Sequence, residues 1–415
     1  MRRTLLGTVA AFAVVMLAAG SRPETQSDSR AEPKPKDVLF LRTSEGITLV
    51  RDLPKGVTVS VPDAVPSIDW SAVVRAIPQD GATRVEAIDP ASGAVLWSRD
   101  VEGRLDVKVA SGDAAMVALG SPREGTGYPG GRASTTLVIL GEGTSEPRTV
   151  ELDGNYEPEA FSTDGRSLFV VEYLPPRDPT SYRVRRLDLR TEEVVGVYTV
   201  DEELQESMQG TARVQAASPD GRRLYTLYTL EGAEGGRRAF VHVLSLDELW
   251  AHCIDLPPSF GTADERAMAI SVSPDGGRLY VADAATGTVA EADTGSLAVT
   301  RTTQAAFGSR GGIAHAVAGP DGMLYLGKGT GLVALDASTW APGRSWDMDE
   351  RITGLQTAND GGRLYVGLKD QIVIVDAATG ERLGVLDPAG LGTIDQLGRS
   401  TRSLGEVRTE IECAC

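Results

Sequence analysis

The chain has 415 residues and a formal net charge of −17, with 41% hydrophobic residues, 47 Gly, 22 Pro, 3 His and 3 Cys. The hydrophobic share supports a large core and excludes global disorder, while the acidic balance repels phosphate backbones and excludes a nucleic-acid partner. Three Cys cannot build a disulfide scaffold, and three His leave little material for a His-based metal or acid–base cluster.

The first twenty residues carry an address. Arg2 and Arg3 precede an apolar run from Leu5 to Gly20 that closes on Ala18-Ala19-Gly20, the layout of a cleaved secretory signal. The run is shorter than the ~20 residues of a membrane span, and no second candidate follows, so no transmembrane span is expected in the mature chain. Arg2-Arg3-Thr4-Leu5-Leu6 also fits a twin-arginine signal. Leu17-Ala18-Ala19-Gly20 is similar to a bacterial lipobox, but Ser21 stands where the lipidated Cys belongs and offers no thiol. Residues 21–36 are rich in Pro, Ser and charge and read as a flexible linker. The expectation is an exported bacterial protein, secreted or held in the cell envelope.

From residue 37 onward a repeat takes over. It appears as Ser162–Phe169 (STDGRSLF), Ser218–Tyr225 (SPDGRRLY), Ser273–Tyr280 (SPDGGRLY), Gly319–Tyr325 (GPDGMLY) and Ala358–Tyr365 (ANDGGRLY). These segments recur every ~40–55 residues, the spacing of a stacked or circular repeat architecture. Asp-Gly between two alternating runs is a hairpin signal, because Gly supplies φ > 0. A second turn recurs later in each unit, as in Asp89–Gly93 (DPASG), Asp293–Gly295 (DTG) and Asp376–Gly380 (DAATG). Each unit therefore reads as four short antiparallel strands, one blade of a β-propeller. No stretch carries a long 3.6-residue apolar period, so the class is all-β.

These units resemble the repeats of YncE-type and WD40-like β-propellers of bacterial envelopes, on the evidence of Val373–Leu386 (VIVDAATGERLGVL). Val85–Asp100, with its Trp97, resembles a repeat of quinoprotein dehydrogenases, and Gly312–Leu326 is similar to repeats of streptogramin-lyase and gluconolactonase propellers. The resemblance implies a ring of seven or eight blades. Eight turns of the second kind against seven of the first favour eight, counting degenerate first turns at Asp69-Trp70 and Gly112-Asp113. The missing strand is supplied from Gly392–Ser400, so that the two chain ends pair and close the ring. The propeller is assigned to residues 37–400, with 401–415 as a C-terminal tail.

The repeated Asp residues read as turn carboxylates rather than calcium ligands, since no D-x-D-x-D-G spacing occurs. Phe169, Tyr225, Tyr280, Tyr325 and Tyr365 read as packing between blades. Residues entering the innermost strands surround the channel mouth: Asp106, Glu157, Glu159, Arg213, Glu265, Arg266, His315 and Arg351. Their mixed charges suit a polar ligand. The streptogramin-lyase resemblance implies a general acid or base role for His315. His242 and His252 fall on outer strands away from the channel, so no metal site is expected, and with Trp97 alone in the matching register no quinone or other cofactor is expected either. Cys253 pairs on paper with Cys413 or Cys415, but no disulfide is assigned.

The sequence thus points first to an exported, monomeric binding or scaffold module. It would recognise an envelope protein or a small polar ligand through the channel-mouth face, where the insertions Ser121–Ser134 and Leu174–Tyr182 lengthen loops. The alternative is a propeller lyase or lactonase built around His315.

Overall fold

Each repeated Asp closes a hairpin by accepting hydrogen bonds from the backbone just beyond it. At Ser218–Arg223 the Ser218 hydroxyl donates to Asp220 Oδ1 at 2.5 Å and accepts from the Arg223 amide at 2.9 Å. Asp220 Oδ1 also accepts from the Arg222 amide at 3.1 Å. The same arrangement recurs at Ser162/Asp164 and Ser273/Asp275. Gly165, Gly221 and Gly276 follow the Asp at φ of 66°, 70° and 73°, the left-handed region that a side chain penalises. The two degenerate turns keep the Ser–Asp pair, as Ser67/Asp69 and Ser111/Asp113, but place Trp70 and Ala114 at φ of 60° and 55°. These two residues hold a strained conformation in place of glycine.

The computed structural model describes residues 37–399, apart from 44–45, 52–56, 63, 123–128, 144–145, 231–237, 308–311 and 388–392. The expected signal, linker and tail, with Cys413 and Cys415, lie outside the described residues. The chain forms eight antiparallel blades of a β-propeller, and the only helix among the described residues is the single 3-10 turn Glu265–Ala267. Blade 1 combines Leu39–Thr43, Gly46–Arg51 and Val57–Pro62 with Ile394–Arg399. Blades 2 to 8 then start at Ala64, Asp106, Asn155, Thr211, Met268, Ala314 and Gly354. Leu39–Thr43 pairs antiparallel with Ile394–Arg399, Leu39 opposite Arg399 and Leu41 opposite Leu397. The terminal strand thus supplies the innermost position of blade 1, as the turn count requires. Pairing the two ends completes blade 1 with its fourth strand and ties the first blade to the last part of the chain.

The periodic aromatics pack between neighbouring blades. Phe169, Tyr225, Tyr280, Tyr325 and Tyr365 are all at most 2% exposed. Phe169 packs with Leu224 and Leu244 of blade 5, Tyr225 with Ile270 and Val281 of blade 6, and Tyr280 with Leu324 and Leu326 of blade 7. Tyr325 meets Leu364 and Val366 of blade 8, and Tyr365 meets Leu39 and Leu41 of blade 1. Each buried ring contributes about 2–3 kcal/mol of transfer free energy to its interface. Trp97 serves the same end between blades 2 and 3, its indole N–H donating to the Ala114 carbonyl at 2.9 Å.

Asp37 locks the closure. It is 6% exposed and accepts from the Asn359 amide at 2.9 Å and from the Tyr365 hydroxyl at 2.7 Å, with Arg363 3.7 Å away. In blade 7 the equivalent tyrosine, Tyr325, donates to Asp321 of its own turn at 2.5 Å. Blade 8 instead draws its tyrosine's acceptor from the far end of the chain.

Candidate functional site: the central channel

Every innermost strand enters the channel at one end and finishes in an Asp-bearing turn at the other, except the terminal strand of blade 1. The two ends differ in chemistry. At the entry end the charged residues meet one another. Arg213 forms an ion pair with Glu265, and its Nε donates to Thr229 Oγ1 at 2.6 Å; Thr229 in turn donates to Glu265 at 3.0 Å. Asp264 caps the 3-10 turn that presents Glu265, and it holds Arg266 at 3.2 Å. Arg132 reaches Glu157 at 2.8 Å and also donates to the Tyr156 carbonyl. Asp106 and Arg351 are exposed on the rim.

The two loop insertions stand over this end and dock on each other. The Arg132 amide donates to the Pro176 carbonyl at 3.0 Å, and Asn155, fully buried, donates through Nδ2 to both Gly130 and Pro176 carbonyls at 3.1 Å. Gly131 lies so close to the Arg177 backbone that a Cβ would overlap its carbonyl. Where described, the loops are thus joined to one another. A hollow of about 120 Å³ lies between Lys108, Arg132, Tyr156 and Glu157.

Deeper in the channel the polar groups change character. Glu159 lies two residues beyond Glu157 on the blade 4 strand and accepts from Gln215 Nε2 of blade 5 at 2.8 Å. Solvent touches part of its side chain, yet the channel wall surrounds it, and burial raises its pKa to about 7 against the opposing pull of the Gln215 hydrogen bond. From here to the turn end runs a cavity of about 430 Å³. Its wall comes from the inner strands of blades 5, 6, 7, 8 and 1, with the Ile68–Trp70 turn of blade 2 closing one side. Most of the lining residues are small or aliphatic. The polar exceptions are largely uncharged: Gln215, Ser271, His315, Gln356, Asn359 and Gln396.

His315 is therefore the one rim candidate that faces the cavity. Its Nε2 is buried without a hydrogen-bond partner, and burial lowers its pKa to about 4 despite a backbone hydrogen bond with Ile352. The ring is neutral at physiological pH. The charged cavity-lining side chains are occupied: Asp69 accepts from Ser67, from the Ser71 amide and from the Ser71 hydroxyl, and Arg399 bonds Asn359. The sequence reading stopped at strand entries and so missed Gln215, Gln356 and Gln396. Period-two counting along each inner strand would have found the first, since Gln215 follows Arg213 by two positions. Trp70 was legible only as a turn residue, yet its ring lies against the Gly398 backbone, which leaves no room there for a Cβ. It meets Phe40 edge-on at 5.6 Å.

The fold class defined here is an eight-bladed β-propeller with a cavity along its axis. No family model and no curated protein sequence matches the chain. Solved structures do. Apo AztD from Citrobacter koseri superimposes with a TM-score of 0.53 at 12% identity over 89% of this chain and 99% of that one. A second structure of Citrobacter koseri AztD gives 0.54 at 14% identity, over 88% and 98%. A putative 6-phosphogluconolactonase from Bacteroides fragilis gives 0.47 at 15% identity, over 88% and 98%. Likeness at these identities is likeness of fold. Among the described residues no group of three or more His, Cys, Asp and Glu is placed to hold a metal ion.

Proposed function

We propose that the protein is an exported bacterial propeller that binds a small, uncharged, polar ligand in the channel cavity. The observation that carries this reading is the neutral imidazole of His315 in the wall of a cavity ringed by side-chain amides, with its Nε2 buried just behind the surface and without a partner. A buried polar atom without a partner costs about 1–3 kcal/mol, which a ligand recovers once a small turn of the ring brings Nε2 to the cavity. Gln215 spends its amide protons on Glu159 and Thr226 and offers only its oxygen, while the amides of Gln356 and Gln396 offer donors and acceptors, so hydroxyl or amide groups are the complementary chemistry. A charged ligand would lose its hydration against a wall built mainly of uncharged side chains. The lyase or lactonase reading draws less support: a neutral His315 without a carboxylate partner lacks the polarising group that a general base uses.

The test is a thermal-shift panel of neutral sugars, polyols and amides beside their charged analogues, run on the wild type and on His315→Leu and Gln356→Leu. A ligand at 100 times its dissociation constant stabilises by about 2.7 kcal/mol, a shift of about a few degrees in a chain of this size. Neutral compounds should give shifts that both variants lose. Shifts confined to anions or cations, or unaffected by both substitutions, would overturn the reading.

A further inference from the structure

Away from the channel, between blades 4 and 5, three soft donor atoms meet. Met208 lies on the segment joining these blades, where its backbone exchanges two hydrogen bonds with Tyr182 at 2.9 and 2.6 Å. His242 and Cys253 face each other across the third and fourth strands of blade 5. The Cys253 Sγ is 3.8 Å from the Met208 Sδ. The Gln205 Nε2 sits between the remaining donors, 2.6 Å from His242 Nε2 and 3.6 Å from Met208 Sδ. The lone pairs of an imidazole and a thioether thus converge on one atom, which stands where a cation would.

The surroundings are largely apolar, with Cys253 itself half-buried. His242 is 3% and Met208 7% exposed, and the stacked rings of Tyr182, Tyr228 and Phe240 line the interface at centroid distances of 5.3 and 5.2 Å. Gln205 is carried by a largely exposed segment, 201–207, so one side of the cluster opens through a single side chain. Its Oε1 is buried without a partner, so the amide does not satisfy its own hydrogen-bonding capacity in this position.

We propose that Cys253, Met208 and His242 form a site for a soft monovalent metal ion, Cu(I), with Gln205 as the side chain the ion displaces. Thiolate and thioether select soft ions, and imidazole accompanies them in copper sites. Metal–sulfur bonds of about 2.3 Å set the ligands of a trigonal ion about 4 Å apart, close to the sulfur–sulfur distance found. Charge selects the oxidation state. Binding releases the thiol proton of Cys253, so Cu(I) with one thiolate is neutral, whereas a divalent ion leaves an uncompensated positive charge in an apolar interface. Nothing is oxidised or reduced in the step: one S–H bond breaks, one S–Cu bond forms, and the proton leaves to solvent.

The test uses the full-length chain carrying Cys413→Ser and Cys415→Ser, so that tail thiols cannot bind. Cu(I) is added under anaerobic conditions in competition with bicinchoninate. One equivalent should be retained per chain, and adding Cys253→Ser should abolish retention. Met208→Leu should weaken binding by at least the ~10–100-fold that loss of an outer-shell partner costs, since it removes a ligand outright, while Gln205→Ala leaves affinity unchanged or raises it. X-ray absorption of the copper-loaded chain with Cys253 intact should show two sulfurs and one nitrogen, a readout that stands even if Cys253→Ser fails to fold. No retained equivalent, retention that survives Cys253→Ser in a folded chain, or a sulfur-free copper environment would each overturn the proposal.

Discussion

The two ends of the channel are built from the same repeat and have opposite polar economies. At the entry end the strong charges are met by partners or by solvent: Arg213 with Glu265, Arg132 with Glu157 and Arg266 with Asp264, while Asp106 and Arg351 stand exposed on the rim. Toward the turn end most lining residues are small or aliphatic, the charged ones are hydrogen-bonded at the turns, and a neutral His315 stands in the wall with its Nε2 buried and unpartnered. A charged, hydrated rim needs no ligand, because its groups satisfy one another. A polar atom buried in an apolar wall has something to gain from one. The difference teaches that the density of charged residues, the easiest signal to read, marks the end of the channel where charges are met by one another and by solvent.

The largest effect is expected from breaking the turn end at its seam. Asp37→Ala removes the acceptor of the buried Tyr365 hydroxyl and of the Asn359 amide together, and it should cost about 2–6 kcal/mol in urea unfolding, at about 1–3 kcal/mol per stranded group. Tyr365→Phe should cost less, and the double substitution should fall short of the sum, because the two residues share one hydrogen bond. Additive losses would show that Asp37 does not hold the ring through Tyr365. At the entry end the matching change is Glu265→Ala, which leaves Arg213 half-buried and without its carboxylate. A loss of about 1–3 kcal/mol is expected, and Glu265→Gln should recover part of it by keeping an acceptor for Thr229. If Glu265→Ala proved neutral, the entry end would be a solvated rim rather than a satisfied network.

Most of this architecture was legible. The Asp-Gly segments fixed seven hairpins, including those at Asp69 and Asp113 where the glycine is replaced, because the Ser two residues before each Asp keeps the same side-chain bond. The closing strand followed from an unpaired count. The cavity was not legible, because its volume depends on small side chains such as Ala216, Ala269 and Ala316 meeting across five blades that are distant in sequence. The Met208–His242–Cys253 cluster was hidden for a related reason. Strand register placed His242 opposite Cys253, but only the return of the interblade segment across the sheet brings Met208 to them.

Per unit of pH, the smallest expected effect is also the one that separates the two halves of the channel by the sign of their pH response. Glu159 has a folded pKa of about 7, above its usual value of 4.5. Its contribution to stability is present in full below pH 4.5 and is lost as pH rises through 7. His315, and His242 in the blade 4–5 interface, have folded pKa values of about 4, below the usual 6.5, with desolvation the leading cause in both. Their contribution is present above pH 6.5 and is lost as pH falls through 4. Between pH 6.5 and 4.5 the two histidines therefore oppose one glutamate. Stability should fall on acidification with a slope of roughly one proton, about 1.4 kcal/mol per pH unit. Glu159→Gln removes the opposing group, so its slope should steepen toward about 2.7 kcal/mol per pH unit, whereas His315→Asn should flatten the wild-type slope toward zero. Unfolding midpoints measured across this window would decide the matter. Parallel curves for all three proteins would mean that the channel wall is wet enough to leave both groups near their ordinary values, and the apolar wall on which ligand selection rests would go with it.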